Sequence, residues 1–267
     1  MITATASHRA ASGYGFRTVA RMEWQKLRTV RSTWWIVAIF AASLAGLAVL
    51  AVSSDSAHLS AAGRASFDPV HDTFVGLVLG QLLTGALGVL AITTEFSSGM
   101  IRATFAAAPR RQLVLAAKAT VLGAVTLLAG EISAFTAFFA GQAALTASVP
   151  HAALGQPGVL RAVLVAGAYP ALIALIALGF GAIIRHTAGA IVALVGVLFV
   201  LPLLVAPLGT SMQNAAQNFL PHPMANSLTA VTPLPHTLPP AATFSLLCAY
   251  PIVTLTAAGW LLARRDA

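Results

Sequence analysis

Three groups of charged residues stand out in a chain whose 267 residues include only seven acids and fifteen lysines and arginines. The first is TTEFSSGMIRATFAAAPRR, residues 93–111, where Glu95 is followed by small polar residues and then by Arg102, Pro109, Arg110 and Arg111. The stretch suits a short, stiff element held between two spans that can transmit a push, with an ordinary positive-inside loop as the alternative. The second is GFRTVARMEWQKLRTV, residues 15–30, in which Glu23 falls inside an apolar stripe three residues before Lys26. A local Glu23–Lys26 pair is the simplest expectation, with a contact to another protein surface as the alternative. The third is Glu131, deep in an apolar run, with Arg161 at the start of the next run. A carboxylate there costs about 2.5–3.5 kcal/mol on insertion scales and normally faces the bundle or a wet cavity. A Glu131–Arg161 clamp, or Glu131 bonded to a hydroxyl, is expected; a substrate contact or a proton site is the functional alternative.

Other chemistries find little footing. His58, His71, His151, His222 and His236 show no metal-ligand spacing, so no metal site is expected. No serine, histidine and carboxylate share a depth that would make a hydrolase. Cys248 is the lone cysteine and excludes an intrachain disulfide. The only lysines are Lys26 and Lys118, neither following a glycine-rich phosphate loop, so the chain is expected to be no enzyme and to hold no nucleotide of its own. Lys118 lies near enough to an interface to snorkel and is assigned no role.

The elements that must position these residues are membrane spans. Hydrophobic residues make up 58% of the chain and charged residues 8%, with a mean hydropathy of +0.86; soluble domains carry about 25% charge. A span needs about 20 apolar residues, and six runs qualify: 34–52, 73–94, one within 114–146, 160–184, 187–207 and 242–263. Helices are required because backbone groups in lipid must be satisfied internally, and the runs lack the alternation of a barrel. The fold class is therefore all-α and polytopic. The first run begins too late and is too long for a cleaved signal, and no internal repeat is visible.

Thirteen basic residues, from Arg9 to Arg31, Arg102 to Lys118, Arg185, Arg264 and Arg265, fall on one side of this topology; only Arg64 and Arg161 fall on the other. Basic loops stay inside, so both termini are expected in the cytoplasm of a bacterial plasma membrane, and the net charge of +8 is topological, with no nucleic acid implied. Residues 1–14 form a tail and 15–31 an interfacial helix. That helix would turn Phe16, Val19, Ala20, Leu27 and Val30 into the acyl boundary and Arg17, Arg21, Gln25 and Arg28 toward headgroups, with Trp24 at the edge of the stripe and Trp34 and Trp35 marking the interface. Residues 32–267 form the transmembrane domain. The insertion 208–241 carries Pro221, Pro223, Pro233, Pro235, Pro239 and Pro240; it reads as short helices or a re-entrant hairpin, with a plain surface loop as the alternative. In the segment 95–112, Ser97 or Ser98 can cap a following helix, Gly99 permits a tight reversal, a short helix runs over Met100–Ala108, and Pro109 stops it.

EWQKLRTVRSTWW at 23–35 and TEFSSGMIRATFAAAPRRQLVLAAKA at 94–119 resemble the permease subunits of type-2 ABC exporters, of the short six-helix bacterial kind. The resemblance covers essentially the whole chain. It implies an elbow helix bearing Glu23, Trp24, Lys26 and Arg28, and a coupling helix that docks on a separate ATPase. Glu95, Gly99, Met100, Arg102, Pro109 and Arg110 match that family's acidic–Gly–basic–Pro pattern, with Ser98 and Arg111 beside them. It also implies external re-entrant helices before the last span, a second permease copy, and ATP and magnesium held by the partner. The loop 53–72 is too short for the external domain some relatives carry. The implied function is export of a hydrophobic or amphipathic substrate. A proton-coupled secondary transporter using Glu131, or a membrane anchor or sensor subunit, are the other classes to be separated from it.

Overall fold

A computed structural model describes residues 15–58, 67–107, 110–146, 149–232 and 234–264. The tail 1–14, Arg64, Pro109, Pro233 and Arg265 lie outside the described residues. The described residues form helices and connections, with no strand among them. α1 is Phe16–Thr29 and α2 is Arg31–His58. α3 is Pro69–Thr73, α4 Leu77–Ser97, α5 Met100–Ala107, α6 Arg111–Ala144 and α7 Val159–Ile184. Then come α8, Thr187–Val195, a π turn over Gly196–Val200 and α9, Leu201–Val205. The chain closes with α10, Thr210–Phe219, α11, Pro221–Thr229, and α12, Pro240–Arg264.

Six of these segments are long and apolar enough to cross a membrane: Arg31–Ser56, Leu77–Ser97, Arg111–Ala144, Val159–Ile184, Thr187–Leu208 and Pro240–Arg264. The chain is a multi-pass membrane protein. The second span starts four residues later than its apolar run because Asp68 starts a separate helix. Its carboxylate accepts from the backbone N–H of Val70 and His71, with Pro69 at the first helical position. The fifth span is not one regular helix. Its π turn precedes Pro202, whose ring removes an N–H from the ladder.

α7 is the hub. It is apolar on every side, as a helix surrounded by protein must be, and 72% of its most apolar stretch is buried. Small residues let its neighbours approach closely. A Cβ on Gly88 of α4 would collide with the Ala174 carbonyl of α7, and one on Gly130 of α6 with the Gly167 carbonyl. Within this seam the Tyr169 hydroxyl donates to Gln81 Oε1 at 2.5 Å, both side chains being fully buried.

Two ends of the bundle differ in chemistry. The basic end carries α1, α5 and the starts or ends of α4, α6, α7 and α12. The proline-rich end carries α3, α10 and α11. There the Asp68 carboxylate also accepts from the backbone N–H of Val231 at 2.8 Å, and Arg161 donates to the Ala230 carbonyl at 2.7 Å. Residues 208–241 thus contain two short helices and a strapped irregular stretch.

Candidate functional site

The apolar stripe of α1 is turned to the bundle only in part: Phe16 and Val30 are exposed. Val19 packs on Val114 and Ala117 of α6, and Leu27 joins the cluster of Leu115, Leu122 and Leu178. Val19 and Leu27 thus meet protein where the acyl boundary was expected, while Phe16 and Val30 stay uncovered. The packing on α6 also accounts for Glu23: a carboxylate inside that stripe faces α6, and α6 supplies Lys118.

Four charged side chains meet there. Lys118 Nζ donates to Glu23 Oε2 at 2.5 Å and to Glu95 Oε1 at 2.7 Å. Lys26 Nζ donates to Glu23 Oε1 at 2.9 Å and to the same Glu95 Oε1 at 3.0 Å. Thr104 of α5 lies 3.5 Å from Lys26 Nζ. Two ammonium groups face two carboxylates, so the buried charge cancels, which is the condition for such a group to be tolerated away from water. Glu23, Glu95 and Lys118 are all buried, and Lys26 keeps one flank in water. Burial opposes the charge on Lys26, but the hydrogen bonds and charges of Glu23 and Glu95 outweigh it and raise its pKa above the ordinary lysine value. Glu95 Oε2 is buried with no hydrogen-bond partner.

The result is a knot of α1, α4, α5 and α6. The local Glu23–Lys26 pair is present, but as one edge of a larger network. Lys118, read from sequence as a snorkelling residue without a role, points inward. Glu95, expected among the residues that meet an ATPase, sits inside this network, and its burial does not fit a surface contact.

The remaining residues of 95–112 divide into two groups. Gly99 has φ +72°, the left-handed backbone that lets the chain reverse between α4 and α5. Ser97 and Ser98 do not cap α5; both hydroxyls donate back to the Thr94 carbonyl at the end of α4, at 3.1 and 2.7 Å. On α5, Ile101 and Thr104 face inward, while Met100, Arg102, Ala103 and Ala106 are exposed. Arg110 is exposed as well. Arg111 instead turns back to the bundle, donating to the Leu262 carbonyl at 3.0 Å and lying over the Phe105 ring. On α1, Trp24 and Arg28 are exposed, and the Arg28 carbonyl accepts from the Trp34 indole N–H at 3.0 Å.

The Glu131–Arg161 clamp does not form. Arg161 is engaged with Ala230 at the proline-rich end. Glu131 lies against Gly167 of α7, whose missing side chain leaves it room, and its Oε2 is buried without a partner. Hydroxyl bonding fails too, because Thr126, Ser133 and Thr136 each donate to a carbonyl of their own helix. Among the described residues no group of three His, Cys, Asp or Glu is placed to hold a metal ion.

Sequence reasoning missed Lys118, Thr104 and Asp68 as organising residues. Lys118 carried a signal in being one of only two lysines in the chain, and Asp68-Pro69 is a helix-start signature. No protein-family model matches the chain, and no curated protein matches it at a significant level.

Proposed function

We propose that the chain is the membrane-spanning subunit of an ATP-driven ABC exporter of the short type-2 kind. It moves a hydrophobic or amphipathic substrate across the bacterial plasma membrane with ATP hydrolysed on a separate subunit. The observation that carries this reading is the mounting of α5. This helix hangs between two spans with one face uncovered, and its other face is tied through Thr104, Lys26, Glu95 and Lys118 to α1, α4 and α6. A partner pressing on Met100, Arg102 and Ala106 moves these elements together. α5 then acts as coupling helix, α1 as elbow, and the exposed Arg110 extends the docking face.

The basic end lies in the cytoplasm on this reading, in keeping with the positive-inside bias. ATP and magnesium belong to the partner, since the sequence has no phosphate loop. A second copy of the chain covers part of the apolar surface of α2, α8 and α9, whose spans are only 22% and 11% buried over their most apolar stretches. The helices α10 and α11 serve as the external re-entrant element.

One observation favours a second reading. Glu131 has a buried carboxylate oxygen without a donor, as a proton carrier in a secondary transporter would. Reconstituted vesicles containing the chain and its co-purified ATPase separate the two. The exporter reading expects substrate movement that stops on ATP depletion and survives collapse of the proton gradient. The reverse pattern assigns transport to Glu131.

A further inference from the structure

A groove of about 540 Å³ runs along the outside of the bundle between α1, α2 and α6. Trp24 and Trp34 wall its mouth, Ala41 and Leu128 line its length, and Thr120 and Ser133 mark its two ends on α6. Those ends are thirteen residues apart, about 20 Å along the helix. That is the depth of one leaflet with its headgroup region, half of about 40–45 Å. The hydroxyls at both ends are satisfied within α6, Thr120 by the Ala116 carbonyl and Ser133 by that of Ala129, so the groove offers a chain of CH₂ groups no competing polar partner. Its wall is preformed, because the indole N–H of Trp34 is bonded to the Arg28 carbonyl.

Charge selects the headgroup. Arg17, Arg21, Trp24 and Arg28 stand at i, i+4, i+7 and i+11 on α1 and share one face. All three arginines are exposed on the same face as the ring that lines the groove. The sole acid on α1, Glu23, is turned to the opposite side and neutralised by Lys26 and Lys118. Asp55 lies at the far end of α2.

We propose that this groove binds an anionic glycerophospholipid, with one acyl chain along α6 and the headgroup drawn to the basic face of Arg17, Arg21 and Arg28. The inference goes beyond the exporter reading and does not depend on it. The lipid covers the outer side of the knot that fixes α1 to α6, so it stabilises α1 in its docked position.

The test uses the full chain carrying Trp35→Phe and Trp260→Phe, so that only Trp24 and Trp34 fluoresce, in nanodiscs of phosphatidylcholine. Lipids with brominated acyl chains are titrated in, since bromine quenches tryptophan on contact. The expected result is quenching by brominated phosphatidylglycerol at a mole fraction several-fold lower than by brominated phosphatidylcholine. Each arginine near an anionic headgroup contributes about fivefold at most before screening. Replacing Arg17, Arg21 and Arg28 by Gln therefore removes the preference while leaving the weak quenching by both lipids. Ala124→Phe, which fills the lipid-facing groove without touching the core, lowers quenching by the anionic lipid. Equal quenching by the two lipids in the parent chain overturns the proposal, and so does a preference that survives the arginine replacements. Displacement of the brominated lipid by soluble glycerol phosphate also overturns it, by assigning the arginines to free phosphate.

Discussion

Replacing Lys118 by Met keeps the length of the side chain and removes one charge from the knot. Lys118 bridges Glu23 and Glu95, and its side chain is 5% exposed. Without it, Lys26 alone faces two buried carboxylates, leaving one net negative charge. Breaking a buried pair by removing one partner costs about 3–5 kcal/mol. The Lys26 side chain is 29% exposed, so water reaches that flank and the low end applies. A loss of about 3 kcal/mol is a factor of roughly 150 in the docking of α1 on α6. Limited trypsin digestion reads this out: Arg17, Arg21 and Arg28 are exposed in the docked state, but only an undocked, fraying α1 lets its backbone enter the protease cleft. The decisive arm is Lys118→Met combined with Glu95→Gln, which restores neutrality and should recover about half of the protection. Unchanged digestion of Lys118→Met, or a double variant that loses the sum of the two single effects, would refute the claim that charge balance holds α1 in place.

Other expectations follow from particular contacts. Asp68→Asn exchanges an acceptor for an amide at a site where one carboxylate serves both the α3 cap and the Val231 N–H. Asn still caps α3, so the loss is the carboxylate bond to the Val231 N–H; it should cost about 1–2 kcal/mol and speed proteolysis within 230–239 before it affects melting of the whole chain. Gly130→Leu drives a side chain into the Gly167 carbonyl and should abolish folded protein on size-exclusion chromatography, whereas Gly46→Leu, at a position with open space around it, should be neutral. For Lys26 the raised pKa sets the sign of the pH effect. Its contribution to α1 docking is complete below the ordinary value of 10.5 and is lost as pH rises through the higher folded value. The fluorescence of a chain with Trp24 as its only tryptophan, titrated upward from neutral pH, should stay flat past 10.5 before α1 releases.

The spans were legible because hydrocarbon thickness fixes their length, and runs such as 160–184 and 187–207 contain almost no charge. Gly99 was legible because a reversal between two helices needs a backbone that tolerates positive φ. The knot was not. Lys118 pairs with residues 95 and 23 positions away, and a lysine in the first turns of a span fits a snorkelling pattern equally well. Which of the two it adopts depends on whether a second helix brings a carboxylate to the same depth, and periodicity does not contain that information. Glu23 inside an apolar stripe was the visible half of the answer. The Glu131–Arg161 pairing failed for a similar reason. Depth and sign suggested it, but the Ala230 carbonyl claims Arg161 first.

The central claim is that the exposed face of α5 receives an ATPase. Its most direct test is the ATPase activity that co-purifies with the affinity-tagged chain in mild detergent, compared across the parent chain, Arg102→Glu and Asp55→Lys. Arg102 is exposed on α5, and Asp55 is exposed at the far end of α2. The expected result is vanadate-sensitive ATP hydrolysis with the parent and with Asp55→Lys, and its loss with Arg102→Glu while the chain stays folded. Absence of hydrolysis in the parent preparation, or undiminished hydrolysis with Arg102→Glu, would contradict it.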